Sequence, residues 1–506
     1  MSKSAVLITG AGPTGLVLAY WLARRGVRVR LIDKTAEAGT TSRAVAVQAR
    51  TLELYRQLGL AAAVVEQGLQ FKALNLWARG ERVGHFEVGE IGRGLSPYPY
   101  ILSFPQDLHE RLLIDRLRAI GVEVERNTEL LGYQDTGPAV RARIRRKDGQ
   151  EEEIEADYLA GCDGARSTVR HGLGATFHGG TYERTFYVAD AVMRGPAADQ
   201  ELHIALDDAD FLAVFPMKGE GRVRLIGTVK RESEDQPDPT WEDISPIAIQ
   251  RLRLTVDRVN WFSTYRVHHR VTDRFRRGRV FLAGDAAHIH SPAGGQGMNT
   301  GIGDAVNLAW KLAEVLGGSA NESLLDTYEP ERIAFARRLV ATTDAAFSFA
   351  TREGRIARAV RLGIAPRVVP RLFSRPRVRR FLFRTASQIR VRYRQSALSE
   401  GSAGAVHGGD RLPWVAGLDN FAPLASLGWQ VHVYGGASPA LADRCSARSL
   451  PLHRFEWGPG AEDAGLRRDA LYLLRPDGYV ALADPGASVT NLERYLENRG
   501  LAPRRG

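Results

Sequence analysis

An α/β fold built around a ligand-binding parallel sheet follows from three features of this sequence. An apolar strand at residues 5–9 runs into Gly10-Ala11-Gly12-Pro13-Thr14-Gly15 and then into a helical pattern through Leu16, Leu22 and Ala23. A second apolar strand at 28–32 ends in Asp33, 18 residues beyond Gly15. Far downstream, Val280, Phe281 and Leu282 lead through Asp285 and a glycine-rich loop into a helix whose apolar face recurs at Ile302, Ala305, Ala309, Leu312, Ala313 and Leu316. Strand, turn and helix in that order place ligands at the carboxyl ends of parallel strands.

Bulk properties narrow the class. A chain of 506 residues has room for two or three domains and a large core. Cys162 and Cys445 are its two cysteines, with no Cys-x-x-Cys and no zinc spacing, which predicts a reducing cytoplasm and no metal. No apolar run approaches the roughly 18 residues that mark a membrane span, and no signal segment opens the chain, so a soluble cytoplasmic protein without a membrane partner is expected. The net charge of +11 comes from arginines spread along the chain. No nucleic-acid-binding motif accompanies them, so nucleic acid is not expected as a partner.

The first glycine motif has the context that gives it meaning. Gly10 allows the tight turn, Gly12 lets backbone approach a pyrophosphate, and Gly15 lets the helix pack on the strand. Pro13 suits a first helical turn, and Asp33, followed by Lys34, stands where an acidic residue meets an adenosine ribose. This is a Rossmann-like dinucleotide site. In the second segment, Asp285 can accept hydrogen bonds from sugar-like hydroxyls, while Gly294, Gly295 and Gly297 clear space for a ring edge. The helix that begins near Met298 and Asn299 presents free amides that favour negative charge. A helix-capping loop without a ligand is the bland account of that segment. The chain has no second complete G-x-G-x-x-G, because Gly172-Leu173-Gly174 lacks the third glycine. One long ligand, with its adenine half at Gly10–Asp33 and its ribityl chain and ring at Asp285–Asn299, accounts for both segments, and that ligand is FAD.

With these motifs in place the chain resembles the class A flavin-dependent aromatic hydroxylases, the FAD monooxygenases typified by para-hydroxybenzoate, phenol and polyketide hydroxylases. The resemblance covers roughly residues 4 to 345. It rests on the Gly10–Gly15 fingerprint, on Cys162-Asp163-Gly164-Ala165-Arg166-Ser167-Thr168-Val169-Arg170, and on Gly284-Asp285 with Pro292 and Gly294–Asn299. It implies that Asp163 touches FAD and the reduced nicotinamide donor, and that Asp285 meets the ribityl hydroxyls. The amides of Gly297, Met298 and Asn299 would lie near flavin N1 and O2. Arg43 would stand near the pyrophosphate and Gln106 would be a further cofactor contact, although a surface arginine and a helix-start residue are the plain readings of those two. Pro292 would place its carbonyl beside the reacting carbon, and Phe215 would line the substrate pocket or serve as a core aromatic. The implied reaction uses NAD(P)H and O2 to hydroxylate a small aromatic, phenolic or polyketide substrate through a flavin C4a-hydroperoxide. Tyr265, His288, His290 and His203 remain open as the base. Baeyer-Villiger or epoxidising oxygen insertion on the same fold, and a flavin-binding regulator of nucleic acid, are the rival readings.

The rest of the chain is read in order. Residues 1–73, 104–176 and 276–345 belong to the FAD-binding domain. Segments 74–103 and 177–275 alternate strand-like runs with turns, as at 211–215 and 222–227, and form an interleaved β-sheet substrate domain. Residues 346–398 form a helical arginine-rich segment, with fourteen arginines against Glu353 between 352 and 394, whose stems are expected to pack on the body with their heads in water; an RNA or membrane patch is the rival reading of that segment. A small-residue linker at 399–409 opens the unit 399–506. That unit's strand at 429–434, its hairpin across Arg475-Pro476-Asp477-Gly478, and its final helix capped at Thr490-Asn491-Leu492-Glu493 resemble the thioredoxin-like tail of phenol and polyketide hydroxylases. Packing or homodimer contact is its expected role.

Overall fold

A computed structural model of the protein describes residues 4–39, 44–206, 211–229, 239–244, 246–291, 293–351 and 363–502. It is a mixed α/β structure. In its first sheet the strand Ser4–Thr9 pairs in parallel with Val29–Ile32 on one side and Glu151–Gly161 on the other, and Val280–Leu282 continues the parallel order. Val6, Leu7, Ile8, Phe281 and Leu282 are fully buried, as strands covered on both faces require. The register pairs Thr9 with both Gly161 and Ile32, and Gly161 with Leu282. Four stretches far apart in sequence, beginning at Gly10, Asp33, Cys162 and Ala283, therefore leave the sheet along one edge. The helices Pro13–Arg24 and Gly297–Leu316 cover it, with Leu16, Trp21, Ile302 and Trp310 buried.

The second sheet runs Glu81–Glu87, Ala73–Ala78, Leu202–Leu206, Phe211–Pro216, Arg222–Thr228, Phe177–Arg194, Thr255–Thr272, His288–Ile289. Residues 88–101 lie outside it, and Leu102–Ser103 pairs instead with Ala46–Val47 and Leu69–Gln70. The edge strand His288–Ile289 directly follows the turn that leaves the first sheet, so it stitches the two sheets together beside that turn.

The third sheet has the order Val406–His407, Glu400–Ala403, Val480–Asp484, Leu471–Leu474, Gln430–Tyr434, Leu452–Phe455. Two expectations are corrected here. The stretch 399–409 is two short strands rather than a linker, and its small residues answer to close packing: a Cβ at Gly408 would lie 2.3 Å from the Glu400 amide. The last helix, Val489–Asn498, is capped by Ser488, whose hydroxyl accepts from the Asn491 amide. Asp484 fixes that serine by accepting from its backbone N–H at 2.7 Å, so the cap falls ahead of Thr490.

This C-terminal unit is keyed into the body. Arg475 is fully buried and pairs with Glu331 at 2.7 Å and Asp477 at 2.6 Å, while Trp310 Nε1 donates to Asp477 at 3.1 Å. The turn at 475–478 is thus held against the helix that starts at Gly297. Helices Ala365–Phe373 and Pro376–Ala386 form the described part of the arginine-rich segment, while residues 352–362 lie outside the described residues. No helix among the described residues is long and apolar enough to cross a membrane.

Candidate active site

Convergence of the strand ends produces one cavity between the two sheets, of about 360 Å³. One wall is Gly12, Pro13, Thr14, Ala44, Gln106, Cys162, Gly164, Asp285, Gly295, Gly297 and Met298; the facing wall carries Phe215, Ile226, Tyr265, Val267 and Ile289. A larger, open and polar cavity of about 560 Å³, lined by Lys72, His85, Glu87, Glu201 and Arg379, contains none of the predicted site residues.

The glycines explain why the first wall has its shape. Gly10 has φ +95°, and a Cβ there would lie 2.3 Å from the Cys162 carbonyl oxygen. A Cβ at Gly15 would lie 1.9 Å from the Gly10 carbonyl oxygen. Those two are required by the fold itself. Gly12 differs: a Cβ there meets nothing within 4 Å, so its missing side chain leaves open space at the start of the helix Pro13–Arg24. Thr14 locks the two cofactor segments together, since a Cβ on Gly284 or Gly301 would come within 2.6 Å or 2.3 Å of its Oγ1.

Asp304 holds the Gly284-Asp285 turn in place. Fully buried on the helix Gly297–Leu316, its carboxylate accepts from the Gly284 amide at 3.0 Å, from His288 Nε2 at 2.7 Å and from Arg332 Nε at 2.6 Å. The nearby Arg332 and His288 outweigh burial and keep it below the usual carboxylate range. Arg332 also donates to the Thr300 carbonyl at 3.1 Å, tying the turn to the helix start. Sequence reasoning missed Asp304 and Arg332. The available signal was a charged residue inside an otherwise apolar helical stripe.

Asn299 is fully buried and its side chain is consumed locally: it donates to the Ala46 and Gly295 carbonyls at 2.9 and 2.8 Å and accepts from Gln48 N and Thr51 Oγ1. It shapes the glycine loop, which leaves its backbone amide as its offer to a ligand. Gln106 lines the cavity, accepts from the Ala44 amide and donates to Glu110. Asp33 Oδ2 accepts from the Ala11 amide at 2.6 Å and Oδ1 from the Thr35 amide at 2.7 Å, so it braces the glycine turn at the edge of the site. Lys34 is exposed beside it. Asp163 Oδ2 accepts from Val169 N while Oδ1 is buried without a partner, and burial raises its pKa. Gly10, Gly15, Asp33, Lys34, Asp163 and Asn299 thus stand behind or beside the cavity wall rather than on it. Arg43 and Pro292 lie outside the described residues.

The four candidate bases separate cleanly. His203 is away from the cavity: Trp77 Nε1 donates to its Nδ1 at 3.0 Å, which leaves the proton on Nε2 for Asp199 at 2.7 Å. That tautomer has no lone pair left for a cation, so the neighbouring Asp199, Glu201 and His203 do not form a metal site despite their proximity. His288 is committed to Asp304. Tyr265 and His290 both line the cavity. His290 Nδ1 donates to the Ser291 carbonyl at 2.8 Å, so Nε2 carries the lone pair, and that atom is shielded with no partner among the described residues. Burial lowers this imidazole to about 4, keeping it neutral at ordinary pH.

The residues present fit FAD on their own chemistry. An open glycine at a helix start suits a pyrophosphate, a carboxylate at a strand end suits ribityl hydroxyls, and a second glycine-lined helix start suits the anionic edge of a reduced ring. With a wall opposite that is apolar at Phe215, Ile226, Val267 and Ile289 and carries Arg266 and His268 beside them, such a site is that of a flavoprotein monooxygenase. Comparison with known proteins gives the particular family. The chain belongs to the family described as FAD binding domain, matched over residues 3–343. It is 35% identical to 6-methylpretetramide 4-monooxygenase of Streptomyces rimosus, over 98% of this chain and 94% of that one. Of solved structures, the anhydrotetracycline hydroxylase OxyS from Streptomyces rimosus is similar at 30% identity and TM-score 0.79, covering 99% of this chain and 100% of that one. An aklavinone-11 hydroxylase solved with FAD and aklavinone gives 26% identity and TM-score 0.78, over 99% and 100%. The protein is an FAD-dependent monooxygenase of the aromatic-hydroxylase class.

Proposed function

We propose that the protein hydroxylates a polycyclic phenolic substrate of polyketide type, seated between the second sheet and the flavin. The observation that carries this is the cavity between the two sheets, with two unlike walls: glycines, Asp285 and a helix start on one side, Phe215, Ile226, Tyr265 and Val267 on the other. When bound, FAD accepts a hydride equivalent from NAD(P)H and activates O2, so that one oxygen atom reaches the substrate ring. Gly10, Gly12, Pro13, Thr14, Gly15, Asp33 and Gln106 shape the seat of the adenine half, with Asp163 beside it. Asp285 and the amides of Gly297, Met298 and Asn299 orient the ring end and favour negative charge there. The apolar sheet wall excludes water.

A phenol is more readily attacked as its phenolate. We assign His290 Nε2 as the hydrogen-bond acceptor for the substrate hydroxyl: its tautomer leaves a lone pair on that atom, and an imidazole held near 4 polarises the hydroxyl without carrying its proton away. Similarity to 6-methylpretetramide, anhydrotetracycline and aklavinone hydroxylases over 94–99% of the chain, against 68% for pentachlorophenol 4-monooxygenase, supports a fused-ring substrate over a single-ring phenol. The strand order and hairpin-helix ending of the 399–506 unit support a thioredoxin-like reading. Cys445 stands alone there, which fits packing rather than disulfide exchange. Screening fused-ring phenols for stimulated NAD(P)H oxidation, with NMR of the product, tests the assignment. A new ring hydroxyl supports it, whereas an inserted ester oxygen or an epoxide would turn it to the rival chemistry.

A further inference from the structure

The helical hairpin formed by Ala365–Phe373 and Pro376–Ala386 has two apolar faces, and the fold uses one. Inward, Phe373 packs on Phe86 with ring centroids 4.6 Å apart, Val369 joins the same cluster, and Phe383 is buried against Ala49 and Ile389. Outward, Ile364, Val368 and Leu372 are 54%, 43% and 42% exposed, and Phe381 and Leu382 are 51% and 40% exposed. Ile364, Val368 and Leu372 recur every four residues, so they form one stripe along a helix face, about 12 Å long. Of the seven large hydrophobic side chains that stand exposed among the described residues, four are in this hairpin and a fifth, Ile364, caps its first helix. A stripe of that kind is not the ordinary scatter of surface leucines.

The hairpin's own charges are of one sign, with acids such as Glu87 and Glu90 confined to the strand and turn on its inner side. Arg375, Arg377, Arg380 and Arg384 are exposed and have no ion pair among the described residues. Arg384 is depressed by partial burial and then by Arg392, Arg411, Arg380 and Arg390, so the arginines repel one another where they stand. A second copy of the chain docking the same face would bring like charges together. A nucleic acid would satisfy the arginines but would leave aliphatic side chains without a partner. A surface that is anionic outside and apolar just beneath satisfies both.

We infer that this hairpin docks the protein on an anionic lipid surface, with Ile364, Val368, Leu372, Phe381 and Leu382 entering the headgroup boundary and the arginines meeting lipid phosphates. The inference stands independently of the substrate assignment. It is a peripheral contact, and it would hold a flavoprotein whose proposed substrates are flat and apolar next to the phase in which they concentrate.

Co-sedimentation of the FAD-loaded full chain with vesicles tests it, using phosphatidylcholine alone against equal parts phosphatidylcholine and phosphatidylglycerol. The expected result is binding to the mixed vesicles, at least tenfold weaker binding to the neutral ones, and release at high salt. Two exposed variants are compared with the parent: Leu372→Ser with Phe381→Ser, and Arg375→Glu with Arg377→Glu and Arg380→Glu. Each should lose binding at least tenfold while flavin absorbance and NAD(P)H oxidation in solution stay unchanged, which shows that the fold is intact. Absence of binding to mixed vesicles overturns the inference. So does an unchanged affinity in the serine variant with displacement by polyglutamate, because that pattern identifies a soluble polyanion as the partner.

Discussion

Replacing Gly12 with alanine separates what the fold needs from what the cofactor needs. At this position φ is −77° and ψ is 179°, a conformation alanine adopts freely, and a Cβ would touch nothing within 4 Å. The apoprotein should therefore lose nothing, and reduced unfolded-state freedom should stabilise it by roughly 0.4–1 kcal/mol. The open space that receives the methyl is the space assigned to the pyrophosphate. Pushing that group off the helix start should weaken FAD at least 100-fold, about 2.7 kcal/mol. Gly10→Ala is the contrast. Its positive φ of +95° and the 2.3 Å approach to the Cys162 carbonyl should cost about 3 kcal/mol or more in the apoprotein itself. Thermal unfolding of the two apoproteins and fluorescence titration with FAD read both quantities. A Gly12→Ala protein that binds FAD like the parent would refute the placement of the pyrophosphate.

Other substitutions probe the remaining parts. His290→Phe should keep flavin content while hydroxylation falls about 100-fold, measured as product formed per NAD(P)H oxidised; unchanged coupling would remove His290 as the hydrogen-bond acceptor for the substrate hydroxyl. Arg475→Met leaves Glu331 and Asp477 buried without their shared cation and should cost about 3–5 kcal/mol in urea unfolding, whereas a loss under 1 kcal/mol would show the hairpin turn is not a structural key. Stability should fall with acid. Burial holds His109 at about 3 and His290 at about 4, so below pH ~6.5 the unfolded chain binds protons that the folded one refuses, about 1.4 kcal/mol per pH unit for each. Asp163 and Glu110, raised by burial, act in the opposite sense at lower pH. Unfolding free energies measured between pH 6.5 and 5 should fall; a flat profile would contradict the buried neutral histidines.

The strands Ser4–Thr9, Val29–Ile32 and Val280–Leu282 were legible because they are short, largely apolar and followed within two residues by glycine or acid, so Gly10, Asp33 and Gly284-Asp285 could be found without seeing the fold, whereas Glu151–Gly161, with five acids in eleven residues, carries no such signal. That they share one edge follows from register, which pairs Thr9 with Gly161 and Gly161 with Leu282 across 120 and more residues. No local pattern carries that pairing. The substrate wall was harder to read. Ile226 and Val267 look like any strand residues, and only the order of the second sheet puts them opposite Gly297. Asp304 and Arg332 escaped because they pair with each other across 28 residues, a separation that no local spacing signals. The apparent linker at 399–409 misled for a related reason: small residues mark close packing as readily as they mark freedom.

If one cavity seats the flavin and an aromatic ring together, oxygen passes from one to the other without meeting solvent. Turnover of a fused-ring phenol by the FAD-loaded protein with NAD(P)H under isotopically labelled O2 tests it most directly. One labelled oxygen atom on a ring carbon of the product, with none from water, is the predicted result. NAD(P)H oxidation that yields only peroxide with every phenol tried, or product oxygen drawn from water, would contradict it.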